Sequence, residues 1–267
     1  MPKVTSYEPG TPCWVDLASP EPRAASSFYG GLFGWQSHTS PDPAAGGYTM
    51  FTLGGLEGHE VAAVMPLMNE GQPVAWTVYV CVEDAEATAR RVTEAGGRLL
   101  LQPMDAPGGQ GRLAVFADDQ GAVIGLWQPG KFPGAGIVND VGSFCWSELA
   151  CRDVERAKSF YGTVFGWSGM TNSFGPTSYT EWQVGGRTVG GMMEMNDQWP
   201  PDVPPHWMVC FTVEDCDRSA ALAGELGGTI SVPPSDLTIG RFAVVGDPHG
   251  AWFSIMQFAS SGGPEGR

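Results

Sequence analysis

The chain has 267 residues, 29 acidic against 14 basic side chains, a net charge of −15 and 42% apolar content. That length allows two domains, each long enough to bury a core of its own. The acidic balance and the lack of any Lys/Arg cluster exclude the electrostatic footprint of a nucleic-acid binder and disfavour anionic membranes. The N-terminal MPKVTSYEPGTPCW has no apolar core behind a basic start, so it does not read as a signal peptide. No apolar run approaches the roughly 18–20 residues that cross a bilayer. The six cysteines form no CxxC pair and most fall in apolar runs, the pattern of free buried thiols in a reducing cytoplasm.

Residues 1–10 read as a loose lead-in. Cys13–Ala18 alternates as a strand. A helix follows through Ala24–Phe33, with Ser19 as its expected N-cap, Pro22 in its first turn and Gly34 as its stop. Its spacing puts Ala25, Phe28, Tyr29 and Leu32 on one face. Tyr48–Leu53 and Glu60–Met65 read as strands between Gly-rich turns. The order then repeats: strand Ala75–Val82, helix Asp84–Ala95, strands Arg98–Leu101, Gly111–Ala117 and Ala122–Gln128. Pro129–Val141 reads as a Pro/Gly-rich linker, and the boundary falls between residues 131 and 132, giving domains 1–131 and 132–267. The second half gives strand Phe144–Ala150, helix Asp153–Val164 capped by Asp153, strands Tyr179–Val184, Val189–Met195 and Trp207–Val213, and a helix over about Asp217–Leu226. Strands Thr229–Val232, Gly240–Val245 and Ala251–Gln257 follow, with a disordered tail from Ser260 to Arg267.

The halves are one text written twice. Thr11–Trp35, TPCWVDLASPEPRAASSFYGGLFGW, returns without a gap as Ser143–Trp167, SFCWSELACRDVERAKSFYGTVFGW. A period of half the chain marks a duplicated module. Each half is itself two β-α-β-β-β units.

This plan resembles the vicinal oxygen chelate (VOC) superfamily, which includes glyoxalase I, extradiol dioxygenases and bleomycin resistance proteins. The match is carried by Asp153–Trp167, Val213–Asp215, Gly227-Gly228, Gly240-Arg241 and Asp247-Pro248-His249-Gly250. In the first half it is carried by Phe28–Trp35, Val82–Asp84, Gly96-Gly97, Gly111-Arg112 and Asp118–Gly121. The resemblance implies an α+β fold of two tandem domains, each a pair of βαβββ units forming a half-open barrel around a central cleft. It does not fix the reaction. The positions that hold the metal in metal-using relatives fall on Trp14 and Trp146, on or beside Thr77 and Met208, and on Gly125 and Ser254. None is a His or a carboxylate, so no metal and no other cofactor is expected.

Strand alternation places Asp16 beside Trp14 and Glu148 beside Trp146 on the cleft faces. Glu148, Asp16 and His206 are therefore the candidate acid/base residues. The alternative for the carboxylates is capping a loop or pairing with Arg23, Arg152 or Arg156. Trp14, Tyr48, Trp76, Trp146, Tyr179 and Trp207 are the candidate aromatic walls for a ligand. Arg112 and Arg241 are expected to pair with Asp118 or Asp247. Three readings follow: a metal-independent enzyme acting on a small aromatic molecule, a non-catalytic protein that sequesters a drug, or a metal-dependent dioxygenase or glyoxalase. The expected partner is a small-molecule ligand, in a monomer that mimics a dimer or in a homodimer.

Overall fold

The computed structural model describes residues 3–174 and 177–259. The first unit is β1 (Pro12–Ser19), α1 (Pro22–Phe33), β2 (Gln36–Thr39), β3 (Thr49–Leu53) and β4 (His59–Pro66). The second is β5 (Ala75–Cys81), α2 (Ala85–Glu94), β6 (Arg98–Asp105), β7 (Gly111–Ala117) and β8 (Val123–Pro129). The third is β9 (Phe144–Cys151), α3 (Val154–Phe165), β10 (Ser168–Phe174), β11 (Thr177–Val184) and β12 (Arg187–Glu194). The fourth is β13 (His206–Thr212), α4 (Cys216–Glu225), β14 (Thr229–Leu237), β15 (Gly240–Gly246) and β16 (Trp252–Phe258). The tail expected to be disordered, 260–267, lies outside the described residues.

Local chemistry sets the element ends. The side chains of Asp84, Asp153 and Asp215 accept from the backbone N–H three residues on, capping α2, α3 and α4. Gly34 and Gly166 take the left-handed conformation at φ 72° that ends α1 and α3. At α1 the cap differs from expectation: Glu21 holds the N-cap position without a side-chain bond, and Ser19 Oγ accepts from the Glu21 N–H one step earlier.

Each half forms one eight-stranded mixed sheet. The first runs β2-β3-β4-β1-β5-β8-β7-β6 and the second β10-β11-β12-β9-β13-β16-β15-β14. In each, two β-α-β-β-β units join through their first strands, β1 antiparallel to β5 and β9 antiparallel to β13. α1 packs on α4, α2 packs on α3, and β5 meets β13. The helix-facing sides of both sheets therefore share one continuous core, to which Tyr29, Phe116, Tyr161, Phe211 and Phe253 all belong. The remaining face of each sheet is the cleft. Smaller apolar clusters line it: one around Trp14, Tyr79 and Trp127, the other around Cys145, Cys210 and Met256.

The seam between the halves is built from reciprocal bonds. Trp35 Nε1 donates to the Gly142 carbonyl and Trp167 Nε1 to the Gly10 carbonyl, each at 2.7 Å. Tyr161 donates to Asp118 at 2.8 Å and Tyr29 to Asp247 at 3.3 Å. The other oxygen of each aspartate accepts two backbone N–H groups of its own turn, Gln120 and Ala122 for Asp118, His249 and Ala251 for Asp247. Asp118 and Asp247 are thus not the partners of the nearby arginines, contrary to expectation. Arg112 pairs with Glu86 and Asp105, and Arg241 with Asp217 and Asp236.

Candidate functional site

In both clefts a tryptophan is hydrogen-bonded to a tyrosine that stands beside a carboxylate. In the C-terminal half, Trp146 Nε1 donates to Tyr179 Oη at 2.9 Å, and Tyr179 lies close enough to Glu148 to favour its ionised form. In the N-terminal half, Trp14 Nε1 donates to Tyr48 Oη at 2.9 Å, and Tyr48 donates to Asp16 at 3.2 Å. The direction is forced. An indole N–H can only donate, so the tyrosine oxygen accepts and its proton is left for the carboxylate.

The strands fix these groups. Trp146 and Glu148 are two residues apart on β9, and Tyr179 reaches over from β11 across β12. Gly191 of β12 stands beside Glu148 in register. A Cβ at Gly191 would lie 1.8 Å from Tyr179 Oη, so the absence of a side chain there makes room for the hydroxyl. In the first half Gly125 has the corresponding role for another ring: a Cβ there would meet Tyr79 at 2.3 Å.

Burial sets the proton affinity. Desolvation raises Glu148 above the ordinary carboxylate range, and the Tyr179 bond opposes it. Desolvation lifts Asp16 to about 7, against hydrogen bonds from Tyr79 and Tyr48. Two of the arginines offered as alternative partners, Arg152 and Arg156, bond elsewhere. Arg152 donates to the carbonyls of Met195, Pro200 and Val203, and Arg156 pairs with Asp119.

The structure brings together Trp146, Tyr179 and Glu148, and likewise Trp14, Tyr48 and Asp16. It does not bring Trp76 and Trp207 to the clefts. Both lie on the helix-facing side, where their Nε1 atoms donate to Tyr29 Oη at 3.0 Å and Tyr161 Oη at 2.8 Å. The reason is alternation. Thr77 and Met208 stand beside Asp16 and Glu148 in the sheets, so the tryptophans before them point the other way. His206 sits at the start of β13, its Nδ1 2.9 Å from the Pro204 carbonyl and its ring 6.1 Å from Trp199. That places it at the mouth of the cleft, two residues from the Met208 that stands beside Glu148.

Two cleft residues escaped the sequence reading. Tyr79 is the β5 neighbour of Trp14 and of Gly125 on β8, and Cys210 is the β13 neighbour of Trp146 and of Ser254 on β16. The row beside each first-strand tryptophan therefore runs through Tyr79 and Cys210 rather than Thr77 and Met208. Alternation from Thr77 and Met208 was the signal that could have found them.

The row Trp146, Cys210, Ser254 offers one thiol and one hydroxyl, and the row Trp14, Tyr79, Gly125 one phenol. The Cys210 thiol is pushed well up by the adjacent Cys145 thiol and by burial. Such donors do not suit a divalent metal that needs imidazole or carboxylate ligands. Among the described residues, no three His, Cys, Asp or Glu side chains are grouped to hold a metal ion.

The two clefts differ in exposure. Trp14, Asp16 and Tyr79 are only 3–4% exposed, whereas Trp146, Glu148 and Tyr179 are each half-buried.

Sequence comparison agrees with this architecture. The model of the Glyoxalase/Bleomycin resistance protein/Dioxygenase superfamily matches residues 143–255, and that of the Glyoxalase-like domain matches residues 14–126. The anthracycline biosynthesis protein DnrV of Streptomyces peucetius is 38% identical, over 95% of each chain. The putative glyoxylase CFP32 of Mycobacterium tuberculosis is 40% identical over 96% of this chain and 98% of its own. The chain belongs to the glyoxalase/bleomycin resistance protein/dioxygenase superfamily, as a tandem two-domain member. Among solved structures, the Mn(II)-bound glyoxalase from Novosphingobium aromaticivorans has the same fold, with a TM-score of 0.63 at 15% identity over 94% of this chain and 84% of that one. Among the described residues, no helix is long and apolar enough to cross a membrane.

Proposed function

We propose that the C-terminal cleft binds a flat aromatic molecule and that Glu148 acts on it as a general base, without a divalent metal. The observation that carries this reading is the cluster of Glu148 with the hydrogen-bonded pair Trp146 and Tyr179. It fixes a carboxylate of raised proton affinity in a half-buried aromatic setting. A base of this kind abstracts a proton most effectively when its pKa lies near the working pH. Trp146 and Met208 supply the apolar surface beside it. The relative DnrV is named for anthracycline biosynthesis, and a fused-ring polyketide is the ligand class that such a surface fits.

The binding half of the proposal is tested by tryptophan fluorescence quenching with 1,8-dihydroxyanthraquinone. Trp146→Ala is expected to weaken binding about tenfold or more, the loss of one aromatic contact of roughly 1.5 kcal/mol. Unchanged affinity in that variant would move the ligand elsewhere. A sequestering role is separated from catalysis by mass spectrometry of the recovered ligand, since only catalysis changes its mass or isotope content.

A further inference from the structure

The residues joining the halves do not form a slack linker. They cross the N-terminal cleft as a strap. Lys131 N–H donates to the Gly109 carbonyl, Phe132 N–H to the Gln110 carbonyl and Ala135 N–H to the Cys13 carbonyl. Trp127 Nε1 reaches the Phe132 carbonyl at 3.0 Å, and Tyr7 Oη the Ala135 carbonyl at 2.7 Å. Gly134 is at φ 127°, and a Cβ there would lie 2.4 Å from the Cys13 carbonyl oxygen, so the strap lies directly on β1.

What the strap carries into the cleft is a benzene ring. Phe132 meets Trp14 edge to face, centroids 4.8 Å apart and planes at 87°, and meets Trp127 at 5.9 Å and 74°. It therefore sits against the same tryptophan that opens the hydrogen-bonded chain to Tyr48 and Asp16. In the C-terminal half, among the described residues, no aromatic ring stands edge-on to Trp146, the corresponding tryptophan. Pro129 on β8 pairs with Gly111, as Phe258 on β16 pairs with Gly240, and in the sequence after Phe258, ASSGGPEGR, there is no aromatic residue to match Phe132. Where Phe132 lies between Trp14 and Trp127, the matching walls are Trp146 and Met256.

We infer that Phe132 is an internal occupant of the N-terminal cleft, standing where an aromatic ligand ring would stand. The N-terminal cleft is thus a second aromatic-binding site of the same kind, closed by the chain itself, and the protein takes one aromatic ligand per chain, in its C-terminal half. The ring's pose also marks the ligand's pose: a six-membered ring edge-on to Trp146. The inference rests on the function proposed above for the equivalence of the two clefts.

The test uses toluene as the probe and the full chain labelled at its tryptophan indoles with nitrogen-15. An apolar space left by removing a half-buried ring packed between two tryptophans takes up a small aromatic molecule. In Phe132→Ala, toluene is expected to shift the Trp14 and Trp127 indole N–H signals saturably, while in the wild-type chain only the Trp146 signal follows toluene. A folded Phe132→Ala whose Trp14 signal ignores toluene, or a wild-type chain whose Trp14 signal shifts equally, overturns the inference. If Phe132→Ala does not fold, Phe132→Leu keeps the strap apolar while removing the ring. It is expected to show the same Trp14 shift at higher toluene concentration, and silence at Trp14 overturns the inference there too. The Trp146 signal reports separately on the function proposed above: a response at Trp14 in the variant with none at Trp146 upholds the closed site and removes the C-terminal one.

Discussion

Tyr161 and Asp118 belong to different halves of the chain, yet the Tyr161 hydroxyl donates to the Asp118 carboxylate at 2.8 Å in the middle of the shared core. The same hydroxyl accepts from Trp207 Nε1 at 2.8 Å. Replacing Tyr161 by Phe therefore strands a buried indole N–H and one carboxylate oxygen at once, at about 1–3 kcal/mol for each unsatisfied group. Tyr29 makes the corresponding contacts at longer range, 3.3 Å to Asp247 and 3.0 Å to Trp76. Urea unfolding is expected to show Y161F losing more stability than Y29F, with both variants unfolding in a single transition. Separate transitions for the two halves would contradict a shared core.

The clefts make a second prediction through Gly191. A Cβ there would sit 1.8 Å from Tyr179 Oη, so Gly191→Ala must displace the hydroxyl from its place beside Glu148 and its bond to Trp146. The N-terminal counterpart of this position is Ala63, beside Asp16, where Tyr48 keeps its bond to Asp16 with a methyl group in place, so the clash belongs to the C-terminal cleft alone. We expect G191A to lose proton-transfer activity about as severely as Y179F, with only a modest change in melting temperature. Full activity in G191A would show that the tyrosine does not need its present place.

Asp16 gives a pH dependence with a definite sign. Burial raises it from the ordinary 3.8 to about 7 in the folded chain, so folding favours its neutral form. Its contribution is complete below about pH 4 and is lost as pH rises toward 7. Asp16→Asn has no such loss. Between about pH 4 and pH 7 the wild-type chain should lose stability relative to D16N by several kcal/mol, at about 1.4 kcal/mol for each step of one in pH, and the difference should flatten above pH 7. Parallel stability curves for the two proteins would mean that Asp16 is not held neutral.

Much of this was legible because it is periodic. The repeat, the helix face of Phe160 and Tyr161, and the Asp153 cap all follow from spacing along the chain. So did the cleft positions of Asp16 and Glu148, since strand alternation needs no long-range knowledge. The same alternation, applied from Thr77 and Met208, would have turned Trp76 and Trp207 toward the helices and brought Tyr79 and Cys210 into the clefts. Phe132 was of another kind. A Pro/Gly-rich stretch reads as slack, and only its backbone bonds to Gln110 and Cys13, distant in sequence, show that it holds a ring against Trp14. Asp118 and Asp247 were hidden for a related reason: their turn chemistry is local, but their tyrosine partners lie in the opposite half.

The base role of Glu148 is tested most directly by hydrogen–deuterium exchange on anthrone, whose ring methylene carries an acidic C–H. Without oxygen and in deuterated buffer, the C–H bond breaks, the proton passes to the Glu148 carboxylate, and the enolate takes back a deuteron. The wild-type chain is expected to accelerate exchange above the buffer rate, more strongly as pH rises and Glu148 ionises. Glu148→Gln should bind anthrone with similar affinity while its exchange falls by about a hundredfold or more, the range of a general base's contribution. Exchange by Glu148→Gln at the wild-type rate would contradict the account.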